Sequence, residues 1–106
     1  MEKTVDRRRH SRIRIRFETS YSSGRQDGSG MLMNISYTGA LLKQTSFQPR
    51  LGSHVRVNVL LSQDSHFEIM GQVVRHVEDG FAIEYVALSP ELRRLVDDAA
   101  AMVSPP

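Results

Sequence analysis

Two short stretches hold the side chains with the most chemistry. "RRRHSR", residues 7–12, sets Arg7, Arg8, Arg9 and Arg12 in front of the alternating "IRIRF", and "NISYTG", residues 34–39, holds an amide, a hydroxyl and a glycine close together. Guanidinium groups crowded on one arm repel one another, so the cluster asks for an anion. Arginine's planar fork pairs bidentately with phosphate oxygens or with O6 and N7 of guanine, and its flat face stacks on a base. A compact phosphorylated purine suits such a cluster. Extended, Arg8 and Arg12 stand about 13 Å apart, and their long side chains on a folded-back arm can converge on one ligand. Asn34 and Ser36, two residues apart, share a side wherever the backbone is extended. Gly39 permits a turn with positive φ and lets a ligand approach the backbone without a Cβ in the way. Together the three can hydrogen-bond a base edge. Each stretch also has a plainer reading. The arginines make a solvated basic tail or a nonspecific nucleic-acid arm, and the second stretch makes a polar hairpin turn.

The distribution of charge favours a local anion site. Residues 1–16 carry seven cationic side chains against Glu2 and Asp6, a net +5, whereas the whole chain is only +2, so the remainder is −3. Affinity for nucleic acid would spread basic residues over the fold, and the aromatic content of 7% leaves few rings for base stacking.

Enzyme chemistry finds no foothold. The sequence holds no HExxH, no nucleophile elbow, no P-loop lysine motif and no GxGxxG. His10, His54, His66 and His76 are scattered without the spacing of a metal set, and the adjacent carboxylates Glu78 and Asp79 fall in an expected hairpin tip. The absence of cysteine removes disulfides, thiolate zinc sites and a cysteine nucleophile. With no long apolar run and no signal-peptide pattern, the expectation is a soluble, cytoplasmic protein without metal, cofactor or membrane insertion.

The elements that must position these residues read as strands. At 106 residues the chain suits one core. Residues 1–11 show no apolar periodicity and read as a flexible basic arm. From Arg12 on, Ile13, Ile15 and Phe17 alternate with Arg14, Arg16 and Glu18. "SSGRQDGSG", residues 22–30, reads as a turn or loop between strands. "MLMNIS" and "ALLKQTS" read as strands flanking "YTG", and "HVRVNVLL", "FEIMGQVVRHV" and "FAIEYVAL" as three more. Gly71 suggests a bulge or bend. Core positions are Ile13, Ile15, Phe17, Leu32, Ile35, Leu41, Val55, Val57, Val59, Ile69, Val73, Phe81, Ile83 and Tyr85. After Ser89, a capping residue before Pro90 and Glu91, an amphipathic helix places Leu92, Leu95, Val96, Ala99, Met102 and Val103 on one face. The predicted architecture is all-β with a terminal helix: a six-stranded antiparallel barrel over 12–88, with a helix at 89–103 packed on it.

In combination, the two stretches resemble the PilZ family of bacterial cyclic di-GMP receptors. Arg8 and Arg12 match the family's RxxxR signature, and Asn34, Ser36 and Gly39 match its D/N-x-S-x-x-G signature, in the expected order and with about twenty residues between. The resemblance covers residues 7–100 and implies the same barrel. It further implies that Arg8 and Arg12 clamp guanine and phosphate, that Asn34 and Ser36 read a guanine edge, and that Gly39 makes room. Arg7, directly before the first motif arginine, implies binding of an intercalated pair of cyclic di-GMP molecules, and Arg9 and Arg75 are further candidate contacts. Asn34 stands where many members carry aspartate, so its contact to guanine lacks charge assistance. The expected function is a non-enzymatic, stand-alone receptor that orders its arm on the ligand and signals to a partner protein in control of motility or biofilm. The alternatives are a PilZ-like adaptor without nucleotide binding and a small basic barrel for single-stranded nucleic acid.

Overall fold

The computed structural model describes residues 13–103. Arg7, Arg8, Arg9 and Arg12 lie outside the described residues, as do the side chains of Ile13, Met102 and Val103 that were assigned to apolar faces. Six strands run in the order β1 Ile13–Ser23, β2 Gln26–Ile35, β3 Gly39–Lys43, β4 His54–Ser62, β5 Ser65–Val77 and β6 Gly80–Tyr85, followed by the helix α1 Pro90–Val103. They close into a barrel with the spatial order β1-β2-β3-β6-β5-β4, every pairing antiparallel, and β4 returns to β1 through Thr19 to Ser22. The expected six-stranded barrel with a C-terminal helix is the observed fold.

Alternation supplies the interior. Val55, Val57 and Val59 on β4 meet Ile69 and Val73 on β5, with Leu32, Ile35, Leu42 and Phe81 fully enclosed between them. Ile15, Phe17 and Tyr85 are partly buried and pack against this cluster. α1 begins where Ser89 Oγ accepts the backbone N–H of Leu92 at 3.1 Å, the capping interaction its sequence foretells. It lays Leu92, Val96 and Ala99 into the core and packs against β1 and β5. No helix among the described residues is long and apolar enough to cross a membrane.

Three local expectations are corrected. The turn or loop expected over 22–30 does join two strands but is shorter: β1 and β2 pair as far as Ser23 and Gln26, and Gly24, at φ +63°, opens the two-residue turn between them. Its small residues have a packing reason, because Tyr21 and Phe47 lie against Gly28 and leave no space for a Cβ. Leu41 is not core. It is half-buried on the outer surface, and Leu42 and Ala40 fill the interior instead. Gly71 marks no bulge either; it sits tightly beneath Ile83, and the irregularity in β5 falls between Val73 and Arg75.

Candidate ligand-binding site

Two bulges build the site. In β2, Leu32 pairs with Leu42 but Asn34 pairs with Leu41, so Met33 is the extra residue. In β5, Val73 pairs with Ile83 but Arg75 pairs with Ala82, so Val74 is the extra residue. Without these insertions, strict alternation from buried Leu32 and Val73 would send Asn34 and Arg75 inward. A bulge resets the alternation and re-aims the residue that follows it.

The result is one lateral row on the outer surface: Asn34, Leu41, Ala82 and Arg75, each opposite the next across β2, β3, β6 and β5. Three strand spacings separate its polar ends, about 14 Å between backbones. Leu41 and Ala82 form an apolar floor between an amide and a guanidinium. The adjoining row sets Gly39 opposite Glu84. These residues, with Ser36, Thr38 and Val74, line an open pocket of about 170 Å³. The structure therefore brings Asn34, Ser36, Gly39 and Arg75 together. Arg14, on the other side of β2, is paired opposite Asn34 and prolongs the row toward the residues that precede β1.

Ser36 has a different immediate task from the one its motif suggests. Its hydroxyl is buried, accepts the N–H groups of Thr38 and Gly39 at 3.2 Å, and lies 3.2 Å from both the Gly39 carbonyl and the Thr38 hydroxyl. The Ser36 N–H donates to the Gly39 carbonyl at 2.9 Å. Ser36 thus holds the β2–β3 turn closed and fixes the backbone on which Asn34 sits.

Gly39 is likewise required by packing rather than by a left-handed turn, for its φ is not positive. A Cβ there would collide with the carbonyl oxygen of Ile83, so only glycine lets β3 pair this closely with β6.

Beside the turn, burial pushes the Tyr85 phenol up, opposed by its approach to the Ser36 backbone, and no described group completes a hydrogen bond to its hydroxyl. Away from the pocket, Asp79 accepts the N–H of Gln44 at 3.3 Å and pairs with Lys43 at 3.4 Å, which gives that turn carboxylate a structural role.

Sequence reading missed Glu84, the apolar floor residue Leu41 and the register position of Arg14. Glu84 looks like any outward strand residue. Its place beside Gly39 follows only from the β3–β6 pairing, which joins strands distant in sequence.

Comparison with known proteins agrees with this architecture. The Bacillus subtilis inhibitor of motility MotI/DgrA superposes with a TM-score of 0.72 at 16% identity, over 91% of this chain and 50% of that one. The chain thus spans about half the length of that protein. The PilZ domain of YcgR from Escherichia coli, solved with c-di-GMP, superposes with a TM-score of 0.61 at 20% identity, over 86% of each chain. No curated protein sequence matches. The PilZ domain family model matches residues 6–101, which takes in both signature stretches and all six strands, and the chain belongs to the PilZ domain family.

Proposed function

We propose that this protein is a non-enzymatic receptor for cyclic di-GMP that gathers its arginine arm over the outer pocket and passes the change to a partner protein. The observation that carries the reading is the row from Asn34 to Arg75, with polar groups at either end of an apolar strip on which a purine can lie. Connectivity supports a role for the arm. Arg14 is paired opposite Asn34, and Arg12 is two residues away, so the backbones of residues 12 and 14 are at most about 7 Å apart. Arg8 is tethered within about 21 Å by the same arithmetic. In this reading Arg8 and Arg12 grip phosphate and guanine, Arg7 and Arg9 add to the positive field, Asn34 reads a base edge, and Ser36 and Gly39 hold the turn. Arg7 favours an intercalated pair of ligands, and a cytoplasmic location belongs to the same reading.

Calorimetric titration of cyclic di-GMP into the wild-type chain and Arg12→Ala tests it. The expected result is binding that weakens as salt rises and falls at least about tenfold in the variant, because a charge-assisted bidentate contact is lost. A stoichiometry of two ligands per chain supports the intercalated pair. Equal binding by both proteins, or displacement of the ligand by unrelated single-stranded oligonucleotides, overturns the reading.

A further inference from the structure

A carboxylate belongs to this pocket as well as the amide and the guanidinium. Resting on the receptor reading above, we infer that Glu84 is a specificity-determining residue that accepts hydrogen bonds from the N1 and N2 donors of a guanine whose O6 and N7 are held by Arg75.

The placement comes from register. Arg75 stands opposite Ala82 on β6, and Glu84 is two residues further along the same face, opposite Gly39. That makes Arg75 and Glu84 diagonal neighbours on adjacent strands, about 7–8 Å apart at the backbone and within reach of a shared small ligand. Both side chains are exposed and both line the pocket. They do not pair with each other: the ion pairs among the described residues are Lys43 with Asp79 and Arg56 with Glu68. Opposite charges so close, with a gap between them instead of a salt bridge, leave a donor fork and an acceptor fork facing one space. Ala82, two residues before Glu84 with Ile83 between them, keeps that space shallow and apolar.

Guanine fits this polarity. It offers O6 and N7 as acceptors on one edge and N1–H with the N2 amino group as donors on the next. A carboxylate is acceptor-only and takes two donors at once, while Arg75 is donor-only. Adenine reverses the relevant groups: its N1 is a lone pair that would face the carboxylate, and its N6 amino group would face the guanidinium. A base lacking the partner atoms leaves the carboxylate and the guanidinium without their hydrogen bonds, so the pair favours guanine over adenine. A carboxylate repels a phosphodiester, so in this reading Glu84 faces a base and not a phosphate.

The test uses cyclic di-GMP and its inosine counterpart, which differs only in lacking the two N2 amino groups, titrated calorimetrically into wild type, Glu84→Gln and Glu84→Ala. Thermal melts establish that the variants fold, as expected for an outward side chain. Wild type is expected to prefer cyclic di-GMP by about tenfold or more, Glu84→Ala to bind both ligands alike, and Glu84→Gln to fall between. Retention of the full preference by Glu84→Ala overturns this inference while leaving the receptor reading standing. So does an equal gain in affinity for both ligands, which would make Glu84 a charge effect only. Absence of any cyclic di-GMP binding by wild type overturns the receptor reading and this inference together.

Discussion

The phenolic hydroxyl of Tyr37 donates a hydrogen bond to a carboxylate oxygen of Asp97. Tyr37 sits at the tip of the β2–β3 turn and Asp97 in the middle of α1, sixty residues later. This is a direct polar link between the turn that frames the pocket and the helix that packs on the barrel.

Titration of that link is measurable. The hydrogen bond to Asp97 comes first among the causes that raise the Tyr37 phenol above its usual 10.0, and Arg93 opposes it. Because the folded value is raised, the stabilising contribution is complete below pH 10 and is lost as the pH climbs through the raised value. Absorbance titration of wild type minus Tyr37→Phe is expected to show one phenol ionising above pH 10, and hydrogen exchange in α1 to be faster in the variant. A Tyr37 step at or below the ordinary value contradicts the contact.

The pairing of β2 with β3 makes an asymmetric prediction about adjacent leucines. Leu42 is fully enclosed and Leu41 faces the pocket. Leu42→Ala is expected to lower unfolding free energy by about 2–5 kcal/mol. Leu41→Ala should cost well under half as much and act mainly on ligand affinity. Urea denaturation of the two variants decides which leucine faces the interior.

Gly39→Ala tests why the motif glycine is there. Its new methyl would meet the Ile83 carbonyl, so β3 must move away from β6. A loss of about 1–3 kcal/mol without any ligand present is expected. Unchanged stability, with only ligand binding impaired, would assign the glycine to the ligand instead.

The sequence was legible where one residue's pattern decides one residue's fate. The valines of β4 alternate without interruption and all three are buried as expected, and Ser89 caps the helix it precedes. It was illegible where the outcome depends on a partner strand. "ALLK" alternates equally well with Leu41 or Leu42 inward, and the pairing of Leu42 with buried Leu32 and of Ala40 with buried Ile35 selects Leu42. The Gly- and Ser-rich stretch 22–30 carries turn composition, yet its pairing with β1 and the cover of Phe47 hold it extended. For the site, Asn34, Ser36 and Gly39 could be found by motif, but the division of labour among them could not. The serine and glycine shape the turn, while Asn34 lies along the pocket row.

The two inserted residues have a consequence for how this barrel can change over time. They uncouple the outward row from the inward one, so positions 34, 75, 82 and 84 can be rewritten while Leu32, Leu42, Val73 and Ile83 continue to hold the interior. Substitutions along the outward row can then accumulate with little penalty to folding, so the lining of the pocket is free to vary on a constant interior.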